Sequence, residues 1–163
     1  KLLNVYQRIK SPKVKLFGIL ALHIGKRRYL SINIDPVMSC NLRCKMCYFS
    51  DAETAKKMRG KFSSDDLEAI AKSLFPRALR LQIGCGAEPT VSQNLLQLVQ
   101  LGKQYGVKHI TITTNGNLLT YEKLHKLVEN GLTEITLSAH GFTKNTYESL
   151  MTNGKLDLFT ALI

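Results

Sequence analysis

Between Arg28 and Met151 the chain repeats one unit four times: a short run rich in β-branched residues, a polar or glycine-bearing loop, then a segment with helical apolar spacing. The strand-like runs are Arg28 to Pro36 (RYLSINIDP), Leu79 to Ile83, Val107 to Thr113 and Leu132 to Ser138. Strands separated by helices cannot pair as hairpins. They are expected to lie parallel, joined by right-handed helical crossovers that cover one face as the sheet curls. The fold class is therefore α/β, a parallel sheet or barrel built from four βα units. Four units do not close a barrel, so the fourth strand is expected to be an open edge, covered by a further segment or a partner chain.

The helices carry their own punctuation. One starts near Ser63 or Ser64, with Asp65, Asp66 and Glu68 in its first turn, Leu67, Ile70, Ala71 and Leu74 on its apolar face, and Pro76 as its stop. Thr90 with Gln93 predicts a capping box for a helix carrying Leu95, Leu96, Leu98, Val99 and Leu101. Thr120 caps a third helix with Leu124, Leu127 and Val128 facing inward, ended by Asn130-Gly131, and a fourth runs from about Thr143 to Met151. Residues 50–61 are polar and lysine-rich with no apolar period, and read as a connection. Every polar or glycine-bearing stretch falls just after a strand, where the loops of a parallel barrel share a ligand-binding rim.

Bulk properties exclude several classes. A hydrophobic content of 44% and a charged content of 21% are ordinary for a soluble globular domain. The longest apolar stretch, Leu16 to Ile24, is far below the roughly 20 residues of a membrane span and lacks a small-residue cleavage site. A chain that starts at Lys1 and stops at Ile163 in a helix-like segment reads as a piece of a longer protein. The net charge of +11 is uneven: residues 1–28 hold eight Lys or Arg and no acid. Such an arm suits nucleic acid, an acidic peptide or anionic lipid, and equally a solvated extension or one packed on a missing domain. Residues 1–27 are accordingly set apart as a basic N-terminal extension and 28–163 as the core.

Cys40, Cys44 and Cys47 lie in the loop after the first strand (CNLRCKMC), and Cys85 stands alone. Thiols this close suit metal better than disulfides, in a reducing, oxygen-poor cytoplasm. The CxxxCxxC spacing offers three thiolates, enough for three irons of a cubane cluster, and leaves the fourth iron open. The alternative is a structural module in which the three join Cys85 around zinc. Zinc ribbons normally use two short knuckles, and Cys85 has no companion.

At these residues the chain resembles a family. CNLRCKMCYF resembles the cluster loop of radical S-adenosylmethionine (SAM) enzymes, GAEP after the second strand is similar to their GGEP element, and TTNG and LSAHG end the third and fourth strands as the family's strands end. The resemblance spans roughly residues 28–163 and implies a partial (β/α)6 TIM-like barrel. It implies that Cys40, Cys44 and Cys47 ligate a 4Fe–4S cluster, that SAM chelates the open iron, and that reductive cleavage yields a 5′-deoxyadenosyl radical that abstracts hydrogen from a substrate. An external reductant such as flavodoxin or ferredoxin is implied as well. A peptide or protein substrate is suggested by likeness to members with cysteine-rich extensions, with a small molecule the alternative.

The resemblance also implies a cofactor-binding set. Gly86 and Ala87 give the backbone room near the methionine part of SAM, and Glu88 offers a carboxylate to its ammonium unless it is a solvent-exposed loop acid. Thr114 and Asn115 line the ribose or methionine side, or else make only a tight turn. Ser138 reaches SAM or is simply a buried strand serine. Met46 and Tyr48 pack against adenine. Departures from the family pattern are Met46 in place of an aromatic residue, Ala87 in place of the second glycine and His140 in place of an acid. Leu150 and Met151 stand where several members place an arginine for the SAM carboxylate.

Overall fold

A computed structural model describes residues 8–162. Its centre is a four-stranded, all-parallel sheet in the order β1-β2-β3-β4. The strands are β1 (Leu30–Ile34), β2 (Ala78–Ile83), β3 (His109–Thr114) and β4 (Glu134–Leu137). Register runs Ile32↔Leu81, Leu81↔Ile110 and Ile112↔Ile135 across the sheet. β4 is an edge strand, as the count of βα units predicted. The helices are α1 (Pro12–Ile24), α2 (Ala52–Lys57), α3 (Ser64–Leu74), α4 (Leu95–Gln104), α5 (Tyr121–Glu129), α6 (Lys144–Leu150) and α7 (Leu156–Thr160).

Period-two alternation sorts the strand side chains between two faces. Ile34, Leu81, Ile83, Ile110 and Ile112 point to one face and form the core with Leu67 and Ala71 of α3, Leu98 and Val99 of α4, and Leu127 of α5. The alternate positions lie on the other face and are polar: Ser31 and Asn33, Arg80 and Gln82, His109, Thr111 and Thr113, Glu134 and Thr136. Gly102 lets α4 lie close on the sheet, since a Cβ there would stand 2.8 Å from Ile110 Cδ1. Arg28, the first residue of the 28–163 segment, is held by backbone carbonyls. Its guanidinium donates to the carbonyls of Phe75 (2.7 Å), Ala78 (3.0 Å) and Tyr105, tying together the segments beneath the sheet.

A second, smaller core lies apart. Leu42, Tyr147, Met151 and Phe159 are buried together, with Cys40, Cys44, Leu137, Ala139 and Leu156 packed against them. It joins the cysteine loop to α6 and α7.

Several local expectations change. Ser63 caps α3 as predicted, in a reciprocal capping box with Asp66. The Thr90–Gln93 box does not form: Thr90 gives its hydroxyl to Glu88, a 3₁₀ turn spans Pro89–Val91, and α4 begins only at Leu95. A nearby carboxylate outcompetes the helix end for that hydroxyl. Val128 is 54% exposed, because Leu127 with the half-buried Leu124 is enough to seat α5. The 50–61 connection contains α2, capped by Asp51 on the Thr54 N–H. It returns to bridge Val37 with Lys61, with Met38 N–H on the Gly60 carbonyl at 2.7 Å. Within the basic arm α1 forms, started by Pro12 and burying none of its residues.

Leu98→Ala should cost about 2–5 kcal/mol by cavity formation, against less than about 0.5 kcal/mol for Val128→Ala. Urea unfolding monitored by circular dichroism checks the contrast. Equal costs would mean that α5, like α4, is seated by both residues.

Candidate functional site: a cysteine loop on the strand-end rim

The predicted site residues meet at the C-terminal ends of the strands. After β1, Asp35 and Pro36 lead into the loop that carries Cys40, Cys44 and Cys47, all free thiols and half-buried. The loop is fixed from three sides. Leu42 is 1% exposed and plugs the small core. The N–H groups of Arg43 and Lys45 donate to the Thr152 and Leu150 carbonyls, each at 2.9 Å, at the end of α6. The Arg43 guanidinium folds back onto the Cys40 (2.7 Å) and Leu42 (2.8 Å) carbonyls.

The GAEP segment is tied to that loop by the Glu88 N–H, which donates to the Ser39 carbonyl at 3.0 Å. Glu88 is 3% exposed, so it is not a solvent-facing loop acid. Its Oε1 accepts from the Thr90 N–H (3.1 Å), the Thr90 hydroxyl (2.6 Å) and the Thr114 hydroxyl (2.6 Å). Its Oε2 accepts from the Asn115 N–H at 2.8 Å. Four donors satisfy a carboxylate that burial would otherwise penalise heavily. The side chain expected to meet an ammonium group thus braces the end of β2 against the end of β3.

Asn115 extends the bracing to the thiols. Its Nδ2 donates to Asn41 Oδ1 (2.9 Å) and approaches Cys40 Sγ at 3.9 Å, while the Leu42 N–H approaches the same sulfur at 3.4 Å. Asn117, absent from the sequence-predicted set, donates to the Tyr147 hydroxyl at 2.8 Å and accepts from the Lys155 N–H at 2.6 Å, joining the TTNG turn to the small core. Ser138 is half-buried, and its N–H donates to the Thr114 carbonyl at 2.9 Å. Tyr48 reaches across to donate its hydroxyl to the Gly86 carbonyl. Met46 stands 55% exposed on the cysteine loop, outside this network.

Asp35 is the second residue that the sequence did not single out. Its carboxylate accepts from the N–H groups of Cys85 (2.8 Å), Gly86 (3.1 Å) and Ala87 (3.2 Å). Successive N–H groups in such a turn form an anion-binding concavity, and here a side chain of the protein fills it. The rim loop therefore presents carbonyls and a negative backing rather than free donors. Gly84, at φ +82° with a Cβ position 2.8 Å from Pro89 Cδ, makes the sharp exit from β2.

Burial pushes the Cys40 thiol above its ordinary value; the Leu42 N–H opposes the rise and the Glu88 carboxylate adds to it. Burial and the other two thiols raise Cys44 likewise. Metal must displace protons from these thiols to bind. Three thiols on one braced loop, one of them receiving N–H donors, are a donor set that fits a cubane cluster with one iron left to an outside ligand. Cys85 is exposed on the GAEP loop, its thiol on the Gln82 carbonyl at 3.8 Å. Among the described residues no group of three or more His, Cys, Asp or Glu is placed to hold a single metal ion.

A parallel βα sheet whose rim carries this cysteine loop defines the class, and comparison names the family. The model of the radical SAM superfamily matches residues 34–162, and the chain belongs to that superfamily, whose members are enzymes that use a 4Fe–4S cluster and SAM. The chain is similar to a 7,8-dihydro-6-hydroxymethylpterin dimethyltransferase of Methanocaldococcus jannaschii (32% identical over 127 residues, 76% of this chain and 24% of that protein). It is similar also to a GTP 3′,8-cyclase of Chlorobaculum tepidum (31% over 120 residues, 73% of this chain and 35% of that one). In structure it resembles Streptococcus suis SuiB bound to the precursor peptide SuiA (TM-score 0.64, 23% identity, covering 94% of this chain and 35% of that one). The chain thus spans about a quarter to a third of the length of these curated relatives. The family's partial barrel accounts for a sheet that ends on an open β4. Among the described residues no helix is long and apolar enough to cross a membrane.

Glu88→Gln places the amide nitrogen against the three donors on Oε1 or, turned over, against the Asn115 N–H on Oε2. It should lower stability by about 1–3 kcal/mol, read as a shift in urea midpoint at constant slope. An unchanged midpoint would remove Glu88 as the brace.

Proposed function

We propose that the complete protein is a radical SAM enzyme in which Cys40, Cys44 and Cys47 hold a 4Fe–4S cluster and the strand-end rim holds SAM. The observation that carries this reading is the joining of three landmarks by hydrogen bonds: the cysteine loop, GAEP through Glu88 N–H on Ser39, and TTNG through Asn115 on Asn41 and Cys40. The chemistry such a cluster supplies when bound is one-electron cleavage of SAM to a 5′-deoxyadenosyl radical, which takes a hydrogen atom from the substrate.

The chain's own residues position and shield. Gly86 and Ala87, their N–H groups taken by Asp35, offer carbonyls to the SAM ammonium, that of Gly86 shared with the Tyr48 hydroxyl, and Glu88 and Asp35 make that side of the rim negative. Thr114, Asn115 and Ser138 flank the ribose and methionine side, and Met46 and Tyr48 flank the adenine. Leu42 and its core hold the loop against water.

The substrate is a peptide or protein, or a small molecule. SuiB, seen with a precursor peptide, supports the first and the pterin- and GTP-named relatives the second. The reductant is of the flavodoxin or ferredoxin kind, the setting a reducing cytoplasm, and the division falls between a basic extension (1–27) and the core (28–163), which further C-terminal strands complete.

Anaerobic reconstitution of the full-length protein with iron and sulfide should give a brown species whose electron paramagnetic resonance, after dithionite reduction, changes on adding SAM. 5′-Deoxyadenosine should then be released. Cys40→Ala, Cys44→Ala and Cys47→Ala should each abolish both, whereas Cys85→Ala should retain them. A colourless wild type, or a spectrum indifferent to SAM, would refute the reading.

A further inference from the structure

The polar face of the sheet continues downward from the rim and belongs to none of the roles above. In closed βα barrels the corresponding positions are mostly Val, Ile and Leu, packed in dry layers. Here they are polar on every strand. Polar groups brought inside a barrel must be met by water or by a ligand with matching donors and acceptors.

One charged group organises this face. Arg80 Nη2 donates to Gln82 Oε1 (2.6 Å) and toward Thr111 Oγ1 (3.4 Å). The Thr111 hydroxyl donates to the same Gln82 oxygen (2.6 Å), and Gln82 Nε2 donates to Thr113 Oγ1 (2.9 Å). The guanidinium is thus aimed by neutral groups of two strands. Among the described residues no carboxylate lies within ion-pair distance of it. Asp35, at the top of β1, is committed to the N–H groups of residues 85–87, and Glu134 lies two strands away on β4. Nη2 is anchored, whereas Nη1 and Nε face no protein acceptor among the described residues. The N–H groups left on these two nitrogens can take the oxygens of a carboxylate or phosphate.

We infer that this face binds a small polar substrate through an oxyanion, carboxylate or phosphate, seated on Arg80, with Gln82 and Thr113 meeting its neutral hydroxyl or amide groups. Arg80 stands three residues before Ile83, about 10 Å of strand below the rim. A molecule the size of a sugar phosphate or mononucleotide spans that distance with a C–H bond at the rim and its anion at the arginine. The inference rests on the radical SAM reading of the same rim and narrows its substrate to a small oxyanion.

The test uses anaerobic, cluster-loaded full-length protein with SAM bound, titrated calorimetrically with ribose 5-phosphate, ribonate and ribose. At least one anion should bind about tenfold or more tighter than ribose, as charge-assisted hydrogen bonds imply. The tighter of the two tells phosphate from carboxylate. Arg80→Met should bring the anions down to ribose, and Arg80→Lys should keep part of the preference. Equal binding of all three sugars by the wild type, the result also expected if a carboxylate from elsewhere in the full chain occupies Arg80, would overturn the inference. So would a preference that survives in Arg80→Met. Should Arg80→Met lower the unfolding midpoint, the wild-type comparison and Arg80→Lys still decide. Failure of the parent reading shows separately, as a wild type without cluster absorption or 5′-deoxyadenosine release.

Discussion

Glu88 takes a charge to 3% exposure and keeps it there with four donors from Thr90, Thr114 and Asn115. The loop after β2 cannot shift without stripping those donors from the carboxylate, and neither can the turn after β3. Because Asn115 then reaches Asn41 and Cys40, the thiol positions take their reference from the sheet rather than from a free loop. Asp35 repeats the device one strand over, filling a ring of three N–H groups. Two acids thus convert flexible, glycine-bearing segments into a fixed rim of carbonyls.

The two faces of the sheet divide the work below that rim. One is a dry contact between isoleucine and leucine rows and helices α3 to α5. The other is a hydroxyl, amide and guanidinium lattice. The same period-two alternation builds both, so stability and recognition draw on different residues of the same strands. A change at Thr113 leaves Ile112 in the core untouched.

Order, type and direction of the strands were legible because β-branched runs and caps alternate at regular spacing, and the cysteine loop because three thiols in one short stretch have few other uses. What stayed hidden depends on long-range partners. Thr90 looks like a cap until Glu88 lies beside it, and the bracing role of Glu88 shows only when Thr114 of β3 and Asn115 just after it arrive, 26 and 27 residues away. Asp35 sits in an ordinary Asp-Pro strand end, and only the fold brings residues 85–87 over it. The polar face was readable in principle: LSINI, the HITIT of β3 and EITL alternate strictly, although a parallel strand is ordinarily expected to be apolar on both sides. Residues 52–57 were missed as a helix because α2 buries nothing and rests on its Asp51 cap.

The separation of the two hydrophobic clusters bears on how the molecule opens. The large one is closed by the sheet and three helices, whereas the small one gathers Leu42 of the cysteine loop with Tyr147, Met151 and Phe159 of the last described turns. Less buried area means a lower opening free energy, so amide protons of α6 and α7 exchange ahead of those of the strands. The cysteine loop keeps a second set of contacts through such excursions, from Asn115 and Glu88 on the rim.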